Sequence, residues 1–291
     1  MNKSIFVIYP SGKLGDLIWH LPFFKHISNI KNQSIYLITR KNTSARDLLI
    51  NEVYIKSVFY IDFKKYLHNY IKDIFKIYHL LKRNNAEEVW ILDKNSRPAI
   101  AASLAKISKI NGYGIGNQSF WINNKNKLNK TDLTTHYIER GIKFFELQNY
   151  PIKYDFIRMN FKKESSNKFN SLNKKNLKII TYGVDSSEMY RSWPTNYFAE
   201  LINTINNKYN FFHILIASPT NSNIADKIIN KVATKDISNY SHLNLKEITS
   251  LLNISYLFIG NDSGILNLSA ALGLKSIGIY GATKSNKYSN K

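Results

Sequence analysis

The amino-acid sequence predicts an α/β protein with two doubly wound domains. Short β-type runs alternate with longer segments of helical periodicity along the whole chain, which favours parallel sheets covered by helices on both faces. The chain has 291 residues, more than one hydrophobic core usually organises. Hydrophobic residues make up 44% of the composition and aromatic residues 13%, which excludes disorder of the whole chain.

The first half alternates four strands with four helices. The predicted strands cover residues 4–9, 34–40, 56–61 and 88–93, and the predicted helices cover residues 16–30, 65–84, 98–107 and 134–148. We expect these elements to form one parallel sheet with helices on both faces. We assign this half, residues 1–160, as the N-terminal domain.

A polar segment separates the two halves. Residues 161–176 have almost no apolar periodicity and are predicted to form an exposed linker. A second domain, residues 177–291, follows, with strands at 177–182, 211–217, 256–260 and 276–280 and helices at 194–207, 221–232, 245–253 and 264–272. Pro194 suits a first helical turn. Because ligands bind at the carboxyl ends of parallel strands, we expect a cleft with residues from both domains.

The charge of the chain limits its possible partners, and its cysteine content limits its bonding chemistry and its compartment. Lysine and arginine exceed aspartate and glutamate by 41 to 20, and this excess attracts nucleic acid, an anionic membrane surface or phosphorylated substrates. Lysine supplies 34 of the 41 cations, a composition that A/T-rich coding bias would produce without selection for charge. Lysine is also a poorer reader of phosphates and bases than arginine. Since no nucleic-acid recognition module is visible, we expect no nucleic-acid partner. The absence of cysteine excludes disulfides and thiolate sites and fits the cytoplasm.

The sequence does not support several other classes of protein. Every stretch of 18 residues contains a charge, so no transmembrane helix is expected, and Pro10, Gly12 and Lys13 interrupt the N-terminal apolar run before it could serve as a signal peptide. The seven histidines lack metal-ligand spacing and no Asp-x-Asp triplet occurs, so a metal site is not expected. No Ser/His/Asp arrangement indicates a hydrolase.

The turn after the first strand is the first candidate site. Gly12 and Gly15 permit close approach of a ligand, Lys13 adds a cation, and Asp16 opens the following helix. The turn is neither a Walker A loop nor a GxGxxG fingerprint. It is similar to an anion-binding turn, although a plain capped helix start with Asp16 near the N-cap explains the same pattern.

The second candidate site lies where the strand at 256–260 gives way to an alanine-rich helix. Asp262, Ser263 and Gly264 place a carboxylate, a hydroxyl and a backbone N–H at one helix N-terminus. Together these groups can hold sugar hydroxyls and a diphosphate. Simple helix capping by Asp262 or Ser263 is the alternative interpretation.

Arg191 is a third candidate residue. It precedes Trp193 and Pro194 at the start of a predicted helix, where its guanidinium could bind a phosphate through two parallel hydrogen bonds. The alternative is an ordinary solvated surface arginine.

Three segments stand out in this order along the chain: LGDLI with LP (14–18 and 21–22), WP with FAEL (193–194 and 198–201), and NDSGILNLSAALG (261–273). Together they resemble glycosyltransferase family 9, the ADP-heptose:lipopolysaccharide heptosyltransferase family. The segment IYGAT (279–283) resembles the family's strand that ends in Gly-Pro-Thr, and weaker matches lie in the middle of the chain at 92–93 with 97 and 102–107, at 110–113 and at 136–137. The resemblance therefore spans nearly the whole chain.

The resemblance implies a GT-B type fold, with two Rossmann-like domains facing across a cleft. The N-terminal domain would receive the acceptor and the C-terminal domain the nucleotide sugar. The implied reaction is an inverting, metal-independent transfer of heptose, or a related sugar, from an ADP-sugar to a lipopolysaccharide or lipooligosaccharide core acceptor. The implied donor is a substrate, and no cofactor is expected.

The resemblance also assigns roles to individual residues. Asp16 would be the general base that takes the proton from the acceptor hydroxyl. Arg191 would stabilise the leaving diphosphate. Asp262 would hold sugar or ribose hydroxyls, while Ser263 and Gly264 would face the phosphates. The turn residues Gly12, Lys13 and Gly15 would form a phosphate or acceptor loop.

Three departures from the family pattern leave alternatives open. Asn267 stands where the family often has His in the donor segment, and Asn221 stands where it often has a Glu expected to contact the nucleoside. The chain ends eleven residues after Tyr280, which predicts a shortened or incomplete C-terminal part. The alternatives are a transferase for another nucleotide sugar or a protein acceptor, and a non-catalytic relative that binds nucleotide sugar or glycolipid.

The basic composition has a use in the implied reaction. Lipid A and core sugars are phosphorylated and lie on an anionic cytoplasmic leaflet. We therefore expect a lipid A-linked acceptor, contact with an anionic membrane surface and a peripheral position at the inner face of the inner membrane.

Overall fold

A computed structural model describes residues 3–64, 66–156, 158–160, 177–186 and 188–281. The chain divides into two units, Met1–Ile157 and Arg158–Lys291. The predicted linker at 161–176 and the chain end at 282–291 lie outside the described residues.

The first unit is built on a five-stranded parallel sheet. Its strands are β1 (Ser4–Ile8), β2 (Ile35–Thr39), β3 (Ile55–Tyr60), β4 (Ala86–Ile91) and β5 (Lys109–Gly112), in the order β3-β2-β1-β4-β5. Every residue of β1 is buried, as expected for a central strand covered on both faces. The order reverses between β1 and β4, which makes the carboxyl ends of these strands the expected position of a ligand site.

The described residues of the first unit form five α-helices beside the sheet. They are α1 (Leu14–Lys31), α2 (Ala45–Leu48), α3 (Leu67–Arg83), α4 (Arg97–Leu104) and α5 (Tyr137–Leu147). Helices α3 and α4 pack together over a core that contains Phe6, Ile77 and Ile91. Elsewhere, Phe145 of α5 stacks on Phe23 of α1 at 5.5 Å between ring centroids and on Trp90 at 5.4 Å.

The second unit repeats this architecture. Its parallel strands are β6 (Lys178–Gly183), β7 (Phe211–Ile216), β8 (Ile237–Asn239), β9 (Leu257–Asn261) and β10 (Ser276–Ile279), in the order β10-β9-β6-β7-β8. Its helices are α6 (Thr195–Asn206), α7 (Ser222–Ile229), α8 (Leu245–Ile254) and α9 (Gly264–Ala271). Tyr182, Phe198 and Leu215 lie in the core of this unit. Reversal between β6 and β9 again predicts a ligand site at the carboxyl ends of the strands.

The predicted fold class is confirmed, since both halves are doubly wound parallel sheets. The sequence analysis missed β5, β8 and α2, which are 4, 3 and 4 residues long and too short to show a periodicity. Pro194 lies at the N-cap of α6 rather than in its first turn. Among the described residues, no helix is long and apolar enough to cross a membrane.

Candidate functional site

A cavity of about 470 Å³ opens at the carboxyl edge of the first sheet. Tyr9, Arg40, Asp93 and Tyr113 line it, and each follows closely on a strand, namely β1, β2, β4 and β5. Parallel strands end at the same edge of a sheet, so residues far apart in sequence converge here. The cavity is therefore a product of the strand order.

Asp16 lies in the first turn of α1 and lines this cavity. The Ser11 hydroxyl donates a hydrogen bond of 3.0 Å to Oδ2 of Asp16. The N-cap position is taken by Lys13, and Asp16 is the third residue of the helix, where a carboxylate also stabilises the helix N-terminus. The role of Asp16 as a general base stays a prediction. Asp16 is half-buried, fixed in orientation and accessible from the cavity, as a general base must be.

Gly12 and Lys13 also line the Asp16 cavity. A Cβ atom on Gly12 would lie 3.0 Å from Cδ of Arg40, so glycine allows the turn to approach the Arg40 side chain closely. Gly15 is the second residue of α1. The roles of these three residues in binding a phosphate or acceptor stay predictions.

Two arginines that the sequence analysis missed line the same cavity. Arg40 donates from Nη2 to the Phe63 carbonyl at 3.1 Å. Arg140 donates to three main-chain carbonyls, of Asp132 at 3.1 Å, Leu133 at 2.5 Å and Thr135 at 3.0 Å. These contacts fix both cations in position, so the cavity presents organised positive charge beside the Asp16 carboxylate.

Burial changes the titration of several groups around the cavity. Burial raises the pKa of the Asp93 carboxyl, opposed by a hydrogen bond from the Asn95 N–H. Burial also raises the pKa of Tyr9 and Tyr113. His20 stacks on Tyr9 at 4.0 Å, and burial lowers its pKa to about 4. The imidazole is therefore neutral near pH 7. Its Nδ1 atom lies 2.7 Å from the Asp16 carbonyl oxygen.

The donor residues predicted for the second unit meet at the start of α9. An Arg191 Nη1 atom lies 3.7 Å from Oδ2 of Asp262, which is buried directly after β9. Ser263 is the N-cap, and its hydroxyl accepts from the Leu266 N–H at 3.4 Å. The capping interpretation is thus correct for Ser263, while the Asp262 carboxylate faces Arg191.

Asn267 and Gly264 belong to the same region. Asn267 donates from Nδ2 to the Ser263 carbonyl at 3.2 Å, so it braces the first turn of α9, which Gly264 begins. The loop that carries Arg191 is held in place by Asn261, whose Oδ1 accepts from the Trp193 N–H at 2.9 Å. Side-chain bonds to backbone thus fix both segments that would face a diphosphate.

A second cavity, of about 540 Å³, lies beside this cluster. Asn221 and Ser263 line it, together with apolar side chains such as Ile216 and Ile248. An apolar pocket with a few polar groups suits a nucleoside base. Asn221 lines this cavity, and its contact with the nucleoside stays a prediction.

Asp185 also lines this cavity and was not among the residues predicted from the sequence. Its Oδ2 accepts from the Ser218 N–H at 2.9 Å, from the Ser218 hydroxyl at 2.6 Å and from Asn221 Nδ2 at 3.3 Å. The signal available in the sequence is its place two residues after β6, where ligand-binding residues of parallel sheets concentrate. The carboxylate that position 221 lacks is therefore present in the cavity at position 185.

In the part of the chain that the structure describes, no group of three or more histidine, cysteine, aspartate or glutamate side chains could hold a metal ion.

Comparison with solved structures gives relatives for the fold. A glycosyl transferase family 9 structure from Veillonella parvula has a TM-score of 0.84 at 17% identity, covering 98% of this chain and 82% of its own. The Escherichia coli ADP-heptose LPS heptosyltransferase II has a TM-score of 0.77 at 16% identity, covering 97% and 86%. The E. coli heptosyltransferase WaaC with ADP has a TM-score of 0.68 at 16% identity, covering 97% and 89%. The fold is of the GT-B type.

Sequence comparison gives the family. No curated protein matches the chain. The model of glycosyltransferase family 9 (heptosyltransferase) matches residues 74–289, which include the candidate residues Asp93 and Arg140 of the first unit and Arg191 and Asp262 of the second. With about three quarters of its length matched, the chain belongs to glycosyltransferase family 9 and is a glycosyltransferase.

Proposed function

We propose that this glycosyltransferase moves heptose, or a related sugar, from an ADP-sugar to a lipopolysaccharide or lipooligosaccharide core acceptor. Inversion at the anomeric carbon and independence of metal ions are part of the proposal. The observation that carries it is the Asp16 carboxylate, oriented by Ser11 in a cavity with two fixed arginines. A base beside organised cations suits a hydroxyl acceptor that carries anionic groups.

The acceptor hydroxyl would react in the cavity that Asp16 lines. The acceptor hydroxyl attacks the anomeric carbon, a new C–O bond forms, and the bond from that carbon to the donor phosphate breaks. The hydroxyl proton passes to the Asp16 carboxylate, which suits the task because the proton becomes acidic only as the new bond forms. Arg40 and Arg140 would hold phosphate or carboxylate groups of the acceptor.

The diphosphate of the donor would depart at the N-terminus of α9. The departing diphosphate gains negative charge, which the Arg191 guanidinium and the N-terminal N–H groups of α9 can stabilise. Asp262 would hold a sugar or ribose hydroxyl, and Ser263 and Gly264 would face the phosphates. Fixed positive charge at this point supplies the neutralisation for which a metal ion is otherwise used.

The nucleoside would occupy the apolar cavity next to this cluster. Ile216 and Ile248 offer faces for a base, and the carboxylate of Asp185 lies in the same cavity. The relative WaaC was solved with ADP, which supports ADP as the nucleotide. Asn267 and Asn221 then act as neutral hydrogen-bonding groups at positions where the family often has His and Glu.

The test begins with calorimetric titration of the full chain with ADP, UDP, GDP, CMP and ADP-heptose. Selective binding of ADP and ADP-heptose supports the proposed donor. Preference for another nucleotide rejects this donor but is compatible with a transferase for another sugar.

Transfer to a purified core acceptor, compared with transfer to a peptide, tests the proposed acceptor. The anomeric configuration of the product tests inversion. Equal rates in EDTA and in Mg²⁺ support metal independence, and loss of activity in EDTA overturns it.

A further inference from the structure

Helix α3 exposes a line of large apolar side chains. Leu67, Ile71 and Phe75 are 76%, 51% and 57% exposed, and their spacing of four residues places them one above another along the helix. The core contacts of α3 are made by different residues, among them Ile74 and Ile77. The exposed line is therefore a second apolar surface, in addition to the one that holds the helix on the sheet.

The same helix also exposes several cations. Lys72, Lys76, Lys82 and Arg83 are exposed on the same helix. The sequence of α3 contains one carboxylate, Asp73, and this group is buried in an ion pair of 2.7 Å with Arg97. The solvent side of α3 thus combines apolar side chains with positive charge alone.

The N-terminal end of α3 lies beside the Asp16 cavity. Tyr70 forms a hydrogen bond of 2.8 Å with the Ser96 hydroxyl and lines an open cavity of about 550 Å³. Asp93 and Asn95 line both this cavity and the one that contains Asp16. The exposed line of α3 therefore begins next to the position proposed for the acceptor.

We infer that the α3 face, made of Leu67, Ile71 and Phe75 with Lys72 and Lys76, binds the surface of an anionic lipid bilayer. A helix that lies in the membrane interface buries its apolar side chains at the level of the acyl boundary, while lysines extend to the lipid phosphates. Anionic lipids attract basic segments within a Debye length of the surface. The α3 face combines both requirements in one helix.

Charge argues for the bilayer over a second copy of the chain. A two-fold contact through α3 would place the same patch on both partners. Lys72 and Lys76 would then face the cations of the other copy without a neutralising carboxylate from α3. An anionic bilayer neutralises these cations and covers the apolar line at the same time.

The consequence for transfer rests on the proposed function. A chain bound through α3 would hold the Asp16 cavity close to the headgroups from which a lipid-linked sugar projects. Lipid binding itself needs neither donor nor acceptor. A vesicle assay without nucleotide sugar can therefore fail while the donor and acceptor assignments stand.

The test is cosedimentation of the full chain with phosphatidylcholine vesicles that contain 0 or about 30% phosphatidylglycerol. We expect binding to the anionic vesicles, a decrease of at least tenfold in the partition coefficient for I71S/F75S, and a similar decrease for K72E/K76E. The matched control is Tyr209→Ser in the second unit, where the side chain is 62% exposed and binding should not change. Circular dichroism verifies that each variant is folded.

A labelling experiment locates the contact. The chain has no cysteine, so Phe75→Cys and Tyr209→Cys each accept one environment-sensitive fluorophore. We expect a blue shift on anionic vesicles for the label at position 75 and none for the label at position 209. Equal partition of wild type, I71S/F75S and K72E/K76E would overturn the inference, as would an unshifted label at position 75 or a dimer that I71S/F75S dissociates.

Discussion

The Ser11 hydroxyl donates a hydrogen bond of 3.0 Å to Oδ2 of Asp16. Ser11 lies in the turn that joins β1 to α1, Asp16 lies in the first turn of α1, and both line the same cavity. The bond restricts the orientation of the carboxylate. In the proposed mechanism, the proton of the acceptor hydroxyl would pass to a carboxylate whose orientation is set by the turn that precedes its helix.

Replacing Asp16 with Asn should lower kcat for transfer by about 10² to 10⁴-fold, the usual contribution of a general base. The Kd for nucleotide should stay within about twofold, since Asp16 belongs to the unit assigned to the acceptor. Rate assays and calorimetry on the same samples measure both quantities. Asp47→Asn, at an exposed position of α2, is the matched control. An equal loss of nucleotide binding would remove the base role.

Replacing Ser11 with Ala tests the hydrogen bond separately. The carboxylate stays, but its orientation is less restricted, so we expect kcat to fall by about tenfold, as for loss of one hydrogen bond to a charged group. The KM for the acceptor should change little. Steady-state kinetics distinguish the two parameters, and a rise in KM at constant kcat would assign Ser11 to binding instead.

Arg191 should contribute mainly to binding of the diphosphate. We expect Arg191→Ala to raise the Kd for ADP by about 10 to 100-fold, because a charge-assisted bond is lost and Asp262 loses its neighbouring cation. Arg191→Lys should recover part of the affinity, since it keeps the charge without the planar fork. Titration with ADP and with adenosine separates the contribution of the diphosphate from that of the nucleoside. A parallel loss of adenosine affinity would contradict a phosphate role.

Asp185 and Asn221 should behave as one unit in nucleotide binding. Asn221 donates to Asp185 at 3.3 Å, so Asn221→Glu places two carboxylates together, and we expect about tenfold weaker ADP binding. The double variant D185N/N221E exchanges donor and acceptor and should recover most of the affinity. Asp226→Asn, whose carboxylate contacts Asn239 on the same unit, is the control. If N221E binds ADP more tightly than wild type, the pairing is not what sets affinity.

Much of the fold could be predicted because buried parallel strands form continuous apolar runs. The run of β1 is buried along its entire length, and helix α3 is long enough to show a clear helical period. By contrast, the three residues of β8 are all half-buried, so its sequence carries no contrast between an inner and an outer face. Its place at the sheet edge depends on pairing with β7, a tertiary contact.

The candidate site was predictable only where its residues adjoin a recognisable turn. Asp16 follows two glycines, and Ser263 stands between a strand and a helix, so the local sequence indicated both. Arg40 and Arg140 carry no such signal, because they reach the Asp16 cavity from separate segments. The strand order β3-β2-β1-β4-β5 brings those segments together, and no local pattern encodes it.

The stability of the protein at low pH should depend on two buried histidines. Burial lowers the pKa of His20 in the first unit and of His213 in the second to about 4, whereas an unfolded imidazole titrates near 6.5. Between these values the unfolded chain binds more protons than the folded one, so the free energy of unfolding should fall as the pH is lowered from about 6.5 to 4. Each histidine should contribute a loss of about 2 to 3 kcal/mol at pH 4.5. Urea unfolding at pH 7.0 and 4.5 measures the difference, and His213→Gln should reduce the pH dependence while the exposed His79→Gln should not. A dependence that is the same in H213Q and wild type would show that other groups carry it.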